Sequence, residues 1–233
     1  FEGLAIGEDA DAMAHQGRYP TLFLTLKDVR GADWETARGA IARELSTLYR
    51  EFEYLADGLR PEERRCFEAV CLREADMATL QGSLRDLVSY LYRHHDRPVV
   101  VLIDEYDSPV IEAYDNGYYE PMIDFMRAWL GGGLKHQQGR AVFRAVVSGV
   151  LRVARESIFS GLNNLKVHSL LSLGPFADKF GFTEGEVERV MSDFGLSDRM
   201  GEVRNWYNGY VFGNTVVYNP WSVLNYIDDQ PES

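Results

Sequence analysis

At 233 residues the chain has room for one large α/β domain with a small appendage, and 45% hydrophobic with 26% charged residues is a folding, globular composition. A formal net charge of −12 argues against gripping nucleic-acid backbones, which takes clustered Lys and Arg, so nucleic acid is not an expected partner. No apolar run reaches the roughly 18 residues of a membrane span, no charged-then-apolar leader opens the chain, and Cys66 and Cys71 fit neither a zinc nor a redox spacing, so a cytoplasmic protein without a membrane partner is expected.

Residues 1–17 are acidic and without period, and read as a connector. Residues 19–26 alternate, with Leu22, Leu24 and Leu26 on one face, which predicts a strand near a sheet edge. From the Asp33 cap, Trp34, Ala37, Ile41, Leu45, Leu48, Phe52 and Leu55 recur at helical spacing until Asp57-Gly58 stops them. Pro61 opens a second helix to about Ala75, and residues 79–93 a third.

The apolar run Val99-Val100-Val101-Leu102-Ile103 then ends in Asp104-Glu105-Tyr106-Asp107. Without alternation it predicts a central strand covered on both faces, of the kind that parallel sheets carry. Open parallel sheets handle ligands at the C-terminal ends of their strands, so Asp104 and Glu105 are candidates for chemistry. In phosphoryl-transfer sites an acid so placed holds Mg²⁺ while a neighbour orients the attacking water, roles that suit Asp104 and Glu105 respectively. A strand end that merely caps the next helix would look the same in isolation.

After Pro109 a short helix reaches Asn116-Gly117, and Met122, Phe125, Met126 and Trp129 mark another. Gly131-Gly132-Gly133 lacks the Gly-Lys-Ser/Thr of a phosphate loop and reads as a flexible or capping stretch. Residues 143–148 form a second buried strand candidate ending at Ser148-Gly149, with Arg152 and Arg155 beyond it, and residues 167–171 a further short strand. Thr183 with Glu186 forms a capping box, Asn208-Gly209 and Gly213-Asn214 bracket a hairpin, and Asn219-Pro220 starts a last helix.

These residues resemble the predicted AAA-ATPase-like proteins, relatives of the STAND-type P-loop ATPases that often carry a nuclease-like domain after the ATPase. The resemblance rests on residues 102–109 (LIDEYDSP), on 148–164 from Ser148-Gly149 to Asn163-Asn164, on Phe180-Gly181-Phe182-Thr183, on Trp206-Tyr207-Asn208-Gly209-Tyr210 and on Tyr218-Asn219-Pro220-Trp221-Ser222. It implies a three-layer P-loop fold with a mostly parallel sheet over residues 1–175 and a small helical and hairpin part over 176–233. It also implies ATP and Mg²⁺ as ligands, a Walker B pair with Asp104 on the metal and Glu105 on the water, and a sensor position at Ser148 with Arg152 close by. Ser148 stands where the family usually has Thr. The family's phosphate loop is absent from these residues, so the chain is expected to be the remainder of a longer protein, inactive alone, with the loop segment before it and the nuclease-like domain after it. The strand feeding that loop would lie between 143–148 and 167–171, which predicts a gap there and exposed strand edges prone to association.

Two other readings use the same acids. A metal-dependent nuclease would collect ions on Asp104, Glu105 and Asp107. A regulatory or scaffold module would keep the fold without turnover. Arg152 and Arg155 have a plainer reading as ion-pair partners of Glu156.

Overall fold

The acidic opening segment is not featureless: it holds a short α1 (Ala10–Met13) capped by the Asp9 side chain, which accepts the Ala12 N–H at 2.9 Å. The structure is a computed structural model and describes residues 3–135, 140–150, 165–169, 176–207, 209–212 and 214–229. The chain divides into two compact units, Phe1–Asn164 and Leu165–Ser233.

In the first unit, β1 (Thr21–Thr25) buries Leu22 and Leu24 and exposes Thr21 and Phe23, the alternation written in its sequence. α2 (Trp34–Glu51) starts where the Asp33 side chain accepts the Thr36 N–H at 2.8 Å, and it buries Ala37, Ile41, Leu45 and Leu48. It ends before the expected Leu55, because Phe52 leaves helical dihedrals and Glu53–Gly58 continues as a 3₁₀ turn. α3 (Pro61–Leu72) stops short of Ala75 at Arg73, whose φ of 62° is left-handed. α4 (Met77–His95) runs longer than expected at both ends, from an Asp76 cap to Asp96. β2 (Val99–Asp104), α5 (Ser108–Asp115), α6 (Tyr119–Leu130) and β3 (Val142–Val147) follow.

The three strands are parallel in the order β1-β2-β3, so β2 is central as expected. Leu22 and Leu24 lie beside Val101 and Ile103, and this row is buried on the face that packs α2 and α4. The opposite row is different. There Phe23 pairs with Leu102 and Leu102 with Val146, and Phe23 and Val146 are 56% and 57% exposed. Cover on both faces of β2 is therefore corrected to full cover on one and partial cover on the other, where Val100 and Leu102 are half-buried, and the third layer of the expected arrangement is not seen among the described residues. β3, expected to be buried, is the outer strand: Arg144, Ala145 and Val146 are exposed and no described strand pairs with its far edge. An unbroken apolar run specifies a strand but not how many of its faces are covered. Val167 to Ser169, described in part of the expected fourth strand, lie in no strand, while Leu170 and Leu171 fall outside the described residues.

Between the helices sits a satisfied polar knot. Buried Tyr49 of α2 donates its hydroxyl to the Ser83 carbonyl at 2.8 Å, and buried Trp129 of α6 donates its indole N–H to Ser83 Oγ at 3.0 Å. Of the glycine triplet only Gly133 is packed, Gly131 and Gly132 having open space where a Cβ would stand. Gly131–Lys135 forms one wide π turn after α6, and a Cβ on Gly133 would lie 2.4 Å from the Leu84 side chain of α4.

The second unit has its own sheet and core. β4 (Phe182–Thr183) leads through the Thr183/Glu186 capping box into α7 (Glu184–Asp193), which ends at Gly195 with φ 71°. α8 (Met200–Tyr207), the hairpin strands β5 (Tyr210–Phe212) and β6 (Thr215–Tyr218), and α9 (Pro220–Asp228) complete it, with the Asn219 side chain accepting the Trp221 N–H at 2.9 Å. The sheet is antiparallel in the order β4-β6-β5. Val187, Met191, Met200, Val203, Tyr218, Val223 and Tyr226 form the core. The hairpin and α9 are legible in the sequence, although two of the bracketing turn residues, Asn208 and Gly213, lie outside the described residues.

Candidate functional site

Parallel pairing aligns the C-terminal ends of β2 and β3, and this alignment brings Asp104 and Ser148 together. The Ser148 hydroxyl donates to Asp104 Oδ1 at 2.6 Å, and the same oxygen accepts the Glu105 N–H at 2.9 Å. The ladder continues past both strands: Ser148 N–H donates to the Ile103 carbonyl at 2.9 Å, and Tyr106 N–H to the Ser148 carbonyl at 3.1 Å. Asp104 is also tied to β1, its carbonyl accepting the Leu26 N–H at 3.0 Å.

Glu105 follows with φ 51°, left-handed for a residue with a Cβ. This reversal turns the chain from β2 into α5 within three residues. Glu105 Oε2 accepts the Ser108 hydroxyl at 3.0 Å, so its carboxylate is held at the head of α5 rather than left to swing. Asp107 is only 2% exposed. Burial, with the Asp107 carboxylate beside it, pushes the Tyr106 phenol above its ordinary value, so it is protonated at neutral pH.

Of the candidates from sequence, Asp104, Glu105 and Ser148 meet at one place; Arg152 and Arg155 lie outside the described residues. Asp104, Glu105 and Asp107 do not form a metal cage: among the described residues no three His, Cys, Asp or Glu side chains converge to hold an ion. A single strand-end carboxylate is nonetheless a fitting ligand for Mg²⁺, which keeps most of its water and takes one or two protein carboxylates together with substrate phosphates. The sequence reading missed Ser108 and Gly149. Ser at the head of a helix three residues after the acidic pair was an available signal for the first. The second is a steric requirement that no local pattern announces.

A family described as predicted AAA-ATPase matches residues 1–159. An uncharacterized protein in the vnfD 5′ region of Azotobacter chroococcum mcd 1 is 35% identical over 126 residues, which cover 54% of this chain and 24% of that protein. The matched part thus spans about a quarter of its length. No solved structure matches the chain.

Proposed function

We propose, from the premise that the chain belongs to the predicted AAA-ATPase family, that the ends of β2 and β3 are the metal- and water-handling half of a site that hydrolyses ATP. The observation that carries this reading is the 2.6 Å bond between Ser148 and Asp104 across adjacent strand ends, with Glu105 next in the chain and its carboxylate held by Ser108. Mg²⁺ bound with ATP would supply charge neutralisation on the phosphates and would be held by Asp104, directly or through water. Glu105 accepts the proton of the attacking water as its oxygen bonds to the γ-phosphorus and the bond to the departing ADP breaks. Ser108 keeps that carboxylate oriented. Ser148 fixes Asp104 with its hydroxyl proton, and Arg152 is assigned to the charge of the phosphates.

The phosphate loop is assigned to sequence outside residues 1–233, with its strand adding at the far edge of β3, where no described strand pairs and where Arg144 to Val146 are exposed. A nuclease-like domain is likewise assigned outside these residues. The lack of a three-carboxylate cluster among the described residues weighs against reading Asp104, Glu105 and Asp107 as a nuclease centre.

The test uses the full-length protein with Mg²⁺ and ATP. Glu105→Gln is expected to bind nucleotide as the parent does and to lose roughly 10²-fold or more in turnover, the scale of a lost general base. Equal turnover in the two proteins removes Glu105 from the role.

A further inference from the structure

We infer that Asp107 is a positioning residue of this site, the side chain that fixes the turn after β3 and thereby sets the Ser148 hydroxyl on Asp104; the inference rests on the ATPase reading. Three observations converge on it. Asp107 occupies the N-cap place of α5 yet its side chain makes no capping bond, whereas Asp33 and Asp76 at the same place in α2 and α4 both accept the N–H three residues on. An Asp at that place ordinarily caps. This one turns inward and is almost fully buried.

The place it turns to is Gly149. A Cβ on Gly149 would lie 2.3 Å from Asp107 Oδ1, 2.8 Å from its Cγ and 2.8 Å from Tyr106 Cε1. The backbone of Gly149 is not left-handed, so glycine is required there for room and not for conformational freedom. Asp107 and Gly149 are therefore one fitted contact between the β2–α5 turn and the residue immediately after Ser148.

The third observation is that contact's position in the ladder. Tyr106 N–H holds the Ser148 carbonyl, and the Asp107 carboxylate lies against Gly149, the next residue. Ser148 is thus held through its N–H on the Ile103 carbonyl and, on its C-terminal side, by Tyr106 and the fitted Gly149, while its hydroxyl reaches Asp104. A carboxylate buried this deeply is confined to one place, so the contact with Gly149 is a fixed one. Its local product is the orientation of Ser148 and Asp104.

Four variants of the full-length protein test this with Mg²⁺ and ATP: Asp107→Asn, Asp107→Ala, Gly149→Ala, and Asp107→Ala combined with Gly149→Ala. Each single variant is expected to lower kcat by roughly ten- to a hundred-fold, the scale of a misplaced catalytic group, with KM for ATP within about two-fold of the parent. Each should also raise the Mg²⁺ concentration that gives half-maximal turnover, because Asp104 is no longer held for the ion. Combining Asp107→Ala with Gly149→Ala should cost no more kcat than Gly149→Ala alone, and should recover part of the melting temperature that Gly149→Ala loses, because the added methyl then has space. A purely structural Asp107 would lower the melting temperature while leaving kcat per folded molecule and the Mg²⁺ dependence unchanged in Asp107→Asn; that result, or strictly additive losses in the combined variant, overturns the inference. Glu105→Gln run beside them separates the two ideas. If the parent protein shows no Mg²⁺-dependent ATP turnover the ATPase reading falls, and if Glu105→Gln loses turnover while the Asp107 variants keep theirs only the positioning role falls.

Discussion

The left-handed Glu105 makes a quantitative prediction that needs no ligand. With a Cβ at φ 51°, the backbone there carries a strain of about 1–2 kcal/mol that glycine would not feel. Glu105→Ala and Glu105→Gly both remove the carboxylate and its bond from Ser108 and differ only in the Cβ, so comparing them isolates the strain. Glycine's greater freedom in the unfolded chain takes back about 0.5–1 kcal/mol. The Glu105→Gly protein is therefore expected to be the more stable of the pair by roughly 0.5–1 kcal/mol, the reverse of the order at an ordinary helix or strand position. Urea unfolding at unchanged m-value reads the difference directly. A Glu105→Ala protein as stable as Glu105→Gly, or more so, would refute the claim that the strand end is held in a strained conformation.

Other positions give further expectations. Arg93 binds both oxygens of Glu63, at 2.8 Å each, and holds its carboxyl down from 4.5 to about 2; the stabilisation is complete above the ordinary carboxylate value and is lost as pH falls from about 4.5 toward 2. Glu63→Gln should erase that part of the acid sensitivity in a pH series of melting curves, at a cost near neutrality of only about 1 kcal/mol because the pair is partly solvated. Ser83→Ala leaves the buried Trp129 N–H without its acceptor and should lose about 1–3 kcal/mol in denaturant titration. Gly133→Ala drives a methyl into Leu84 as far in as its Cβ, so α4 itself must give, and a loss of about 1–3 kcal/mol is expected by the same measurement.

What sequence reasoning recovered depends on how local each signal was. The Asp33 cap, the Thr183/Glu186 box and Asn219-Pro220 located helix starts to the residue, because a cap is decided by atoms within one turn. Ends were less legible: Arg73 and Phe52 stop α3 and α2 by backbone conformations that neither residue type advertises. The strand ending in Asp104 was legible as central, but not that Phe23 and Val146 flank it on an open face, since coverage depends on elements distant in sequence. Asp104, Glu105 and Ser148 could be nominated because strand ends collect chemistry. That Asp107 forgoes its cap to meet Gly149 is tertiary, and only the fold exposes it.

The route from β1 to β2 has a consequence during synthesis. These strands are neighbours in the sheet, yet α2, α3 and α4 lie between Thr25 and Val99 in the chain. At about 5–20 residues per second on the ribosome, β1 waits on the order of 4–15 seconds after it emerges before its partner exists. Through that interval Leu22 and Leu24 cannot be covered by the strand they will join. The first shelter within reach is α2, next in sequence and in contact with β1, whose Ile41 and Leu45 line the same small apolar pocket as Leu26 and Val29 just beyond the strand. The nascent chain is thus arranged so that a helix chaperones its own first strand until the sheet can form.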